Sequence, residues 1–186
     1  LAVILLGGCA RFDAAMYVQA VLDTSYKGET ERYIEMTGGS KEEAQEIFRK
    51  KMKATMKEFK TTQLSKELEK QYESLFGNIM KQMNYQVAEA QKEKRGSYIV
   101  KITVKPMLLF DETYDEFQQR AKAYAKEITD QVTKNGEMPE EELMQQEVYR
   151  IYYEVLKEGL EAGVSYGAPK DVLLHVIRQK DGTYEI

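Results

Sequence analysis

The segment Tyr98-Ile99-Val100-Lys101-Ile102-Thr103-Val104-Lys105 decides the fold, because it is the clearest β-strand in a chain that otherwise favours helices. β-Branched residues dominate this segment, and Pro106 ends it. The preceding residues 85–91 either continue a helix or alternate as a second strand, and residues 92–97 are typical of a turn. We therefore expect a hairpin with strands near 85–91 and 98–105. The alternative is one long helix that leads directly into a single strand.

A second hairpin is predicted at the carboxyl end of the sequence. Its strands are expected near 172–178 and 183–186, joined by the tight turn Lys180-Asp181-Gly182-Thr183.

Helical periodicity fills most of the remaining sequence. The predicted helices span about 12–26, 29–36, 41–59, 64–81, 111–134 and 139–163. Ser40-Lys41-Glu42-Glu43 fits a capping box at the start of the third helix, and Pro139 is placed in the first turn of the sixth. The apolar residues expected to face inward on the last two helices include Tyr114, Phe117, Ala121, Tyr124, Ala125, Ile128, Val132 and Leu143. This order of elements predicts an α+β domain whose helices pack on one face of a small antiparallel sheet.

The composition is that of an ordinary globular protein. The chain has 186 residues, of which 42% are hydrophobic and 31% charged, and its net charge is −4. This balance argues against binding to a nucleic-acid backbone, and one domain is the default at this length. With a single cysteine, Cys9, and a single histidine, His175, we expect no internal disulfide, no metal site and no cofactor.

The amino end carries the stretch Leu5-Leu6-Gly7-Gly8-Cys9 after an apolar run. This stretch resembles the lipobox of bacterial lipoproteins, in which a branched aliphatic residue and two small residues precede the cysteine that becomes lipidated. The resemblance implies that residues 1–8 are the tail of a signal peptide, cleaved between Gly8 and Cys9, and that a diacylglyceryl group on Cys9 anchors the protein. The alternative is the tail of an ordinary signal sequence or of a membrane span. An initiator Met and a basic region upstream are absent, so we expect the natural chain to begin before Leu1.

The layout as a whole, a lipobox followed by an acidic α+β body, is similar to that of small surface lipoproteins of Gram-positive bacteria with domains of unknown function. This likeness implies a single extracytoplasmic domain over residues 9–186, on the outer face of the cytoplasmic membrane. It implies a non-catalytic role in binding or scaffolding and transfers no site residues.

Two sets of side chains are candidates for binding. Tyr149, Tyr152 and Tyr153 lie at i, i+3 and i+4 of a predicted helix, which places them on one side as an aromatic platform for a sugar or a peptide. The alternative is that they belong to the helix core. A basic run in the third helix is either its solvated face or a contact for anionic lipid head groups or wall polymers, through Arg49, Lys50, Lys53 and Lys57.

A catalytic alternative rests on Gly163-Val164-Ser165-Tyr166-Gly167, which matches the G-x-S-x-G pattern of serine hydrolases and precedes Asp171 and His175. The nucleophile elbow requires a strand before the serine and a helix after it, whereas the predicted order here is reversed. We therefore expect a half-buried His175 without chemistry and a protein that is not an enzyme. An acid/base pair of carboxylates stays open, because no two members stand out.

Overall fold

The structure is a computed structural model that describes residues 12–59, 64–94 and 96–186. Within these ranges it has six α-helices and four β-strands, so the predicted α+β class is confirmed. The helices are α1 Ala14–Leu22, α2 Glu31–Thr37, α3 Lys41–Phe59, α4 Lys66–Lys81, α5 Leu109–Asn135 and α6 Glu141–Ala162, and a π-helical turn, Asp23–Lys27, continues α1. The strands are β1 Asn84–Lys94, β2 Ser97–Lys105, β3 Lys170–Arg178 and β4 Tyr184–Glu185.

The chain forms two compact units. The first, which we call the sheet unit, consists of Leu1–Thr55, Met80–Pro106 and Gly167–Ile186. The second, the helical unit, consists of Met56–Ile79 and Met107–Tyr166. Along the sequence, the helical unit is therefore made of two segments inserted into the chain of the sheet unit.

The sheet unit is built on an antiparallel sheet with the strand order β1-β2-β3-β4. Alternate residues of β2, Val100 and Ile102, are buried and form a core cluster with Val176 of β3 and with Tyr17 and Val18 of α1. The period of two in β2 thus produces the face against which α1 packs.

The ambiguous segment 85–91 is a strand, which confirms the predicted hairpin and excludes the long-helix alternative. Its Val87 and Ala90 pack against the core cluster, and a bulge between them lets both reach it. The strand continues to Lys94, and Gly96 makes the turn with a φ of 76°. The hairpin loop is therefore shorter than the 92–97 segment that the sequence predicts.

Local signals at the helix ends are confirmed where they involve side-chain caps. Ser40 and Glu43 form the predicted capping box, with the Glu43 amide 3.1 Å from the Ser40 hydroxyl oxygen and the Ser40 amide 2.8 Å from the Glu43 carboxylate. The predicted place of Pro139 is wrong. Glu140 is the N-cap of α6 and has an extended backbone, with a ψ of 136°, so the helix begins only at Glu141 and Pro139 lies outside it.

In the helical unit, α5 and α6 pack against each other, but the predicted set of inward-facing side chains is only partly correct. Tyr114 is 54% exposed and Leu143 is 61% exposed, whereas Leu109 and Thr113 are buried. Thr113 packs beside Gly159, and Tyr114 lies about 100° further round the helix axis. The contact between α5 and α6 therefore includes Gly159 and Thr113, and Tyr114 lies outside it. Ala125, which was also expected to face inward, is exposed.

Candidate functional site

The tyrosines predicted to bind a ligand lie in the helical unit, and their rings do not share one direction. The Tyr153 ring meets the Tyr72 ring of α4 edge-on, with 5.6 Å between centroids. The Tyr152 ring packs against Phe117 of α5 at 4.9 Å. The backbone carbonyl of Tyr149 accepts a 2.6 Å hydrogen bond from the Tyr72 hydroxyl. The rings of these tyrosines therefore contact two different helices. Tyr153 packs against α4, and Tyr152 packs against α5.

Tyr72 holds this arrangement in place. Its side chain is fully buried and its ring also stacks near Phe76, at 5.8 Å. Burial raises the pKa of the Tyr72 hydroxyl far above its usual value, and burial also raises the pKa of Tyr152. The buried hydroxyl of Tyr72 donates to a backbone carbonyl, which satisfies it.

A groove of about 400 Å³ lies beside Tyr153, where α4 begins. Its lining is mainly polar and mixes both signs of charge, and it consists of Ser65, Glu67, Leu68, Gln71, Arg150, Tyr153 and Glu154. Arg150 forms a 3.6 Å ion pair with Glu147. By contrast, the side chains of Glu67, Gln71 and Glu154 make no hydrogen bond to another described residue, so their polar atoms can bind a ligand.

Sequence reasoning identified Tyr153 but missed the rest of this groove. The α4 contribution is not readable from the sequence, because nothing in it pairs α4 with α6. The one available signal is that Tyr153 and Glu154 follow Arg150 by three and four residues, which makes both of them neighbours of Arg150 on the helix.

The basic residues of α3 are exposed, as expected for a solvated helix face. Arg49 is paired with Glu46, at 3.0 Å, while Lys50, Lys53 and Lys57 form no ion pair with another described residue. Next to Arg49, a hollow of about 230 Å³ is lined by Gly28, Gln45 and Phe48.

A polar cluster that sequence reasoning missed surrounds Asp23 in the π-helical turn of the sheet unit. The Asp23 side chain is 9% exposed, and its Oδ1 accepts hydrogen bonds from the Gln19 amide at 2.8 Å and from the Tyr85 hydroxyl at 2.7 Å. The cations Lys27 and Arg32 lie 3.8 Å and 3.6 Å from its oxygens. A buried carboxylate requires such partners. The polar residues at i−4 and i+4 of Asp23, inside an apolar helix, are the signal that could have indicated the cluster.

The G-x-S-x-G segment lies between α6 and β3, so its context is the reverse of a nucleophile elbow, as the sequence predicts. The Ser165 hydroxyl donates to the Glu112 carboxylate. Asp171 accepts from Thr103 at 2.6 Å and from Lys101 at 3.3 Å. His175 follows Asp171 by four positions along the strand, about 13 Å, which is too far for an Asp–His hydrogen bond.

The only histidine is more exposed than predicted. The side chain of His175 is 56% exposed, and its Nδ1 lies 3.7 Å from the Glu93 carboxylate. The prediction of a half-buried position is wrong, because His175 lies on the exposed face of β3. Over the described ranges, no group of three or more His, Cys, Asp or Glu side chains is placed to hold a metal ion.

Gly8 and Cys9, the predicted cleavage and lipidation site, lie outside the described residues. No helix in the described part of the chain is both long enough and apolar enough to cross a membrane.

Comparison with known proteins finds a structural neighbour and no family. No protein-family profile and no curated protein matches the chain. The α+β arrangement matches the crystal structure of a "putative lipoprotein (ycdA)" from Bacillus subtilis subsp. subtilis str. 168, with a TM-score of 0.61 and 17% sequence identity. The match covers 94% of this chain and 51% of that one, so this chain spans about half the length of the matched structure. At this identity the likeness shows a shared fold.

Proposed function

We propose that this protein is a lipid-anchored lipoprotein on the outer face of the bacterial cytoplasmic membrane. The observation that carries the proposal is the stretch Leu5-Leu6-Gly7-Gly8-Cys9, in which two residues with almost no side chain precede a single thiol. The description of the Bacillus subtilis neighbour as a "putative lipoprotein" supports it. Two acyl chains on Cys9 would hold the protein firmly, since each buried CH₂ contributes about 0.8 kcal/mol and stable anchoring needs two such chains.

The test is acyl labelling of the protein in bacterial cells, followed by mass spectrometry of the mature amino terminus. We expect an acylated terminus that begins at Cys9, and we expect Cys9→Ala to abolish labelling and release the protein from the membrane fraction. Ser165→Ala is the control and should be labelled like the natural chain. An amino terminus that still contains Gly8, with a free thiol on Cys9, would contradict the proposal, as would unchanged membrane retention of Cys9→Ala.

We further propose that the molecular role is non-catalytic binding, and that the groove beside Tyr153 holds a small polar ligand. The support is the combination of an aromatic ring with carboxylate and amide groups that have no partner within the described residues. Such groups bind the hydroxyls and amides of a sugar or a short peptide by directed hydrogen bonds.

The test uses two probes, the disaccharide of N-acetylglucosamine and trialanine, with NMR chemical shifts as the readout. We expect one of them to shift resonances of Gln71 and Glu154, and Tyr153→Leu to remove the effect. Tyr152→Leu is the matched control, because that ring packs against Phe117. Shifts that persist in Tyr153→Leu, or no shift with either probe, would contradict this assignment.

The alternative is an extracytoplasmic hydrolase that uses Ser165 or a carboxylate pair. It has less support, because Asp171 and His175 lie too far apart along β3 to act as a relay for Ser165. The contact of Arg49, Lys50, Lys53 and Lys57 with anionic surfaces stays a prediction, and so does the single extracytoplasmic domain over residues 9–186.

A further inference from the structure

The predicted anchor lies very close in sequence to the folded core. Only Ala10 and Arg11 separate Cys9 from Phe12, so the Cα atoms of Cys9 and Phe12 are at most about 11 Å apart. The Phe12 ring stacks on the Tyr184 ring, with 3.4 Å between centroids and 6° between planes, and lies 5.7 Å from the Tyr98 ring. A lipid group bound to Cys9 would therefore be close to this aromatic contact.

Basic side chains surround the same end of the sheet. Lys92 is the cross-strand partner of Tyr98, and Arg178 is the partner of Tyr184. Directly paired residues of an antiparallel sheet project from the same face, so Lys92 and Arg178 lie on the face that carries Phe12. Two further bases, Lys94 and Lys180, are at the β1–β2 and β3–β4 turns.

The β1–β2 turn is joined to the end of β3, because the Arg178 amide donates a 2.7 Å hydrogen bond to the Gly96 carbonyl. We call the four bases Lys92, Lys94, Arg178 and Lys180 the basic sheet end. All four are exposed.

The acidic groups of this region are engaged within the sheet unit, whereas the bases are not. Glu93 accepts from the Ser97 hydroxyl at 3.1 Å, Asp181 from the Thr183 amide and hydroxyl at 2.9 Å and 2.6 Å, and Glu185 from Gln179 at 2.8 Å. None of the four bases forms an ion pair or a side-chain hydrogen bond with another described residue. Their ammonium and guanidinium groups are therefore free to contact an external anion.

We propose that the basic sheet end contacts the anionic phospholipid head groups of the bilayer that holds Cys9, and so fixes how the sheet unit faces the membrane. The inference rests on the proposed lipid anchor. The three residue steps from Cys9 to Phe12 hold Phe12 near the lipid surface, at a distance comparable to the Debye length, over which attraction to anionic head groups is strongest. The basic face of α3 begins at Arg49, 40 residues after Cys9 in the sequence.

The experiment supplies the anchor chemically, so that it does not depend on acylation in cells. The chain from Cys9 to Ile186, which keeps every described residue, is coupled through its only thiol to a maleimide phospholipid in vesicles. One set of vesicles contains equal parts of phosphatidylglycerol and phosphatidylcholine, and the other contains phosphatidylcholine alone. Hydrogen exchange of backbone amides is then measured for residues 92–97, 179–183 and 45–55.

We expect amides in the two turns to exchange more slowly on the anionic vesicles than on the neutral ones, and residues 45–55 to exchange equally on both. A triple variant, Lys92→Gln with Lys94→Gln and Lys180→Gln, should lose the difference, since each base near the surface contributes about fivefold to the contact equilibrium. The matched control is Arg49→Gln with Lys50→Gln and Lys53→Gln on α3. It changes the net charge equally and should keep the difference.

Equal exchange of the turns on both kinds of vesicle would overturn the inference, as would slower exchange over residues 45–55 instead. These outcomes are separate from the fate of the proposed anchor. If cells leave Cys9 unacylated, the lipoprotein proposal fails in the labelling experiment, while the vesicle experiment still decides whether the basic sheet end prefers anionic lipid.

Discussion

Gly159 of α6 packs against Thr113 and Leu109 of α5, and replacing it tests the packing of the helical unit. A Cβ atom added at Gly159 would lie 2.5 Å from the Thr113 Cγ2 methyl and 2.9 Å from the Leu109 Cδ1 methyl. Carbon atoms in contact are normally about 3.5–4.0 Å apart, so the new methyl would overlap Thr113 by about 1 Å. Gly159→Ala therefore forces Thr113 or one of the two helices to move.

Two opposing effects set the size of the change in the free energy of unfolding. Overpacking a filled contact costs about 1–3 kcal/mol. Alanine is favoured over glycine inside a helix by about 1 kcal/mol. We therefore expect Gly159→Ala to lower the free energy of unfolding by about 1 kcal/mol, although the same substitution in an open helix would raise it.

A double-mutant cycle with Thr113→Ser isolates the steric part. Serine lacks the Cγ2 methyl but keeps the hydroxyl, which in Thr113 donates to the Leu109 carbonyl at 2.7 Å. In the Thr113→Ser background, we expect Gly159→Ala to be neutral or stabilising, with a coupling energy of about 1–2 kcal/mol. The readout is urea unfolding followed by far-UV circular dichroism. Ala125→Gly, at an exposed position of α5, measures the helix propensity on its own.

The reasoning is refuted if Gly159→Ala stabilises the natural chain by as much as Ala125→Gly destabilises it. In that case the added methyl would find free space, and only helix propensity would act. An equal effect of Gly159→Ala in both backgrounds would refute the role of Thr113 and leave Leu109 as the obstacle.

Three further predictions concern the sheet unit and the buried tyrosines. Tyr85→Phe should lower the free energy of unfolding by about 1.5–3 kcal/mol, because it removes a hydrogen bond to the buried carboxylate of Asp23; a change below the error of urea unfolding would contradict this. Burial raises the pKa of Tyr17, Tyr72 and Tyr85 above the usual 10.0, so above that pH the unfolded chain binds fewer protons than the folded one. The free energy of unfolding should therefore fall as pH rises beyond 10, and it should fall less steeply in Tyr85→Phe. The measurement is urea unfolding at each pH. A free energy of unfolding that does not change with pH would show that these hydroxyls ionise in the folded state. Ser40→Ala should cost about 1 kcal/mol through loss of its cap, measured in the same way, and Ser40→Gly only a few tenths; equal costs for the two would argue against the hydroxyl as the cap.

The sequence predicted features that depend on neighbouring residues. The capping box at Ser40 and the turn at Gly96 both arise within a few residues, so composition and spacing are sufficient to indicate them. The strand at 98–105 was clear for the same reason. The prediction for Pro139 failed by two residues at a helix end, where propensity distinguishes poorly between the N-cap and the first turn.

Features that depend on distant parts of the chain were not predictable. β2 pairs with β3 across the whole of α5 and α6, and no pattern within either strand indicates that partner. The cluster at Asp23 needs Tyr85, 62 residues away, to satisfy the buried carboxylate. Tyr152 and Tyr153 were correctly placed on one helix, yet the helices that receive their rings follow only from the tertiary structure.

The inferred membrane contact combines both kinds of information, and neither is sufficient alone. From the sequence, α3 is the obvious basic surface, because its cations are consecutive. The basic sheet end combines two pairs of cations, Lys92 with Lys94 and Arg178 with Lys180, that lie more than 80 residues apart in the sequence. Acidic residues lie next to both pairs, so no basic run indicates them. Strand pairing places Lys92 and Arg178 on one face, and the short tether between Cys9 and Phe12 selects that face over α3. Charge density alone would favour α3, so the vesicle comparison distinguishes an orientation set by the tether from one set by charge.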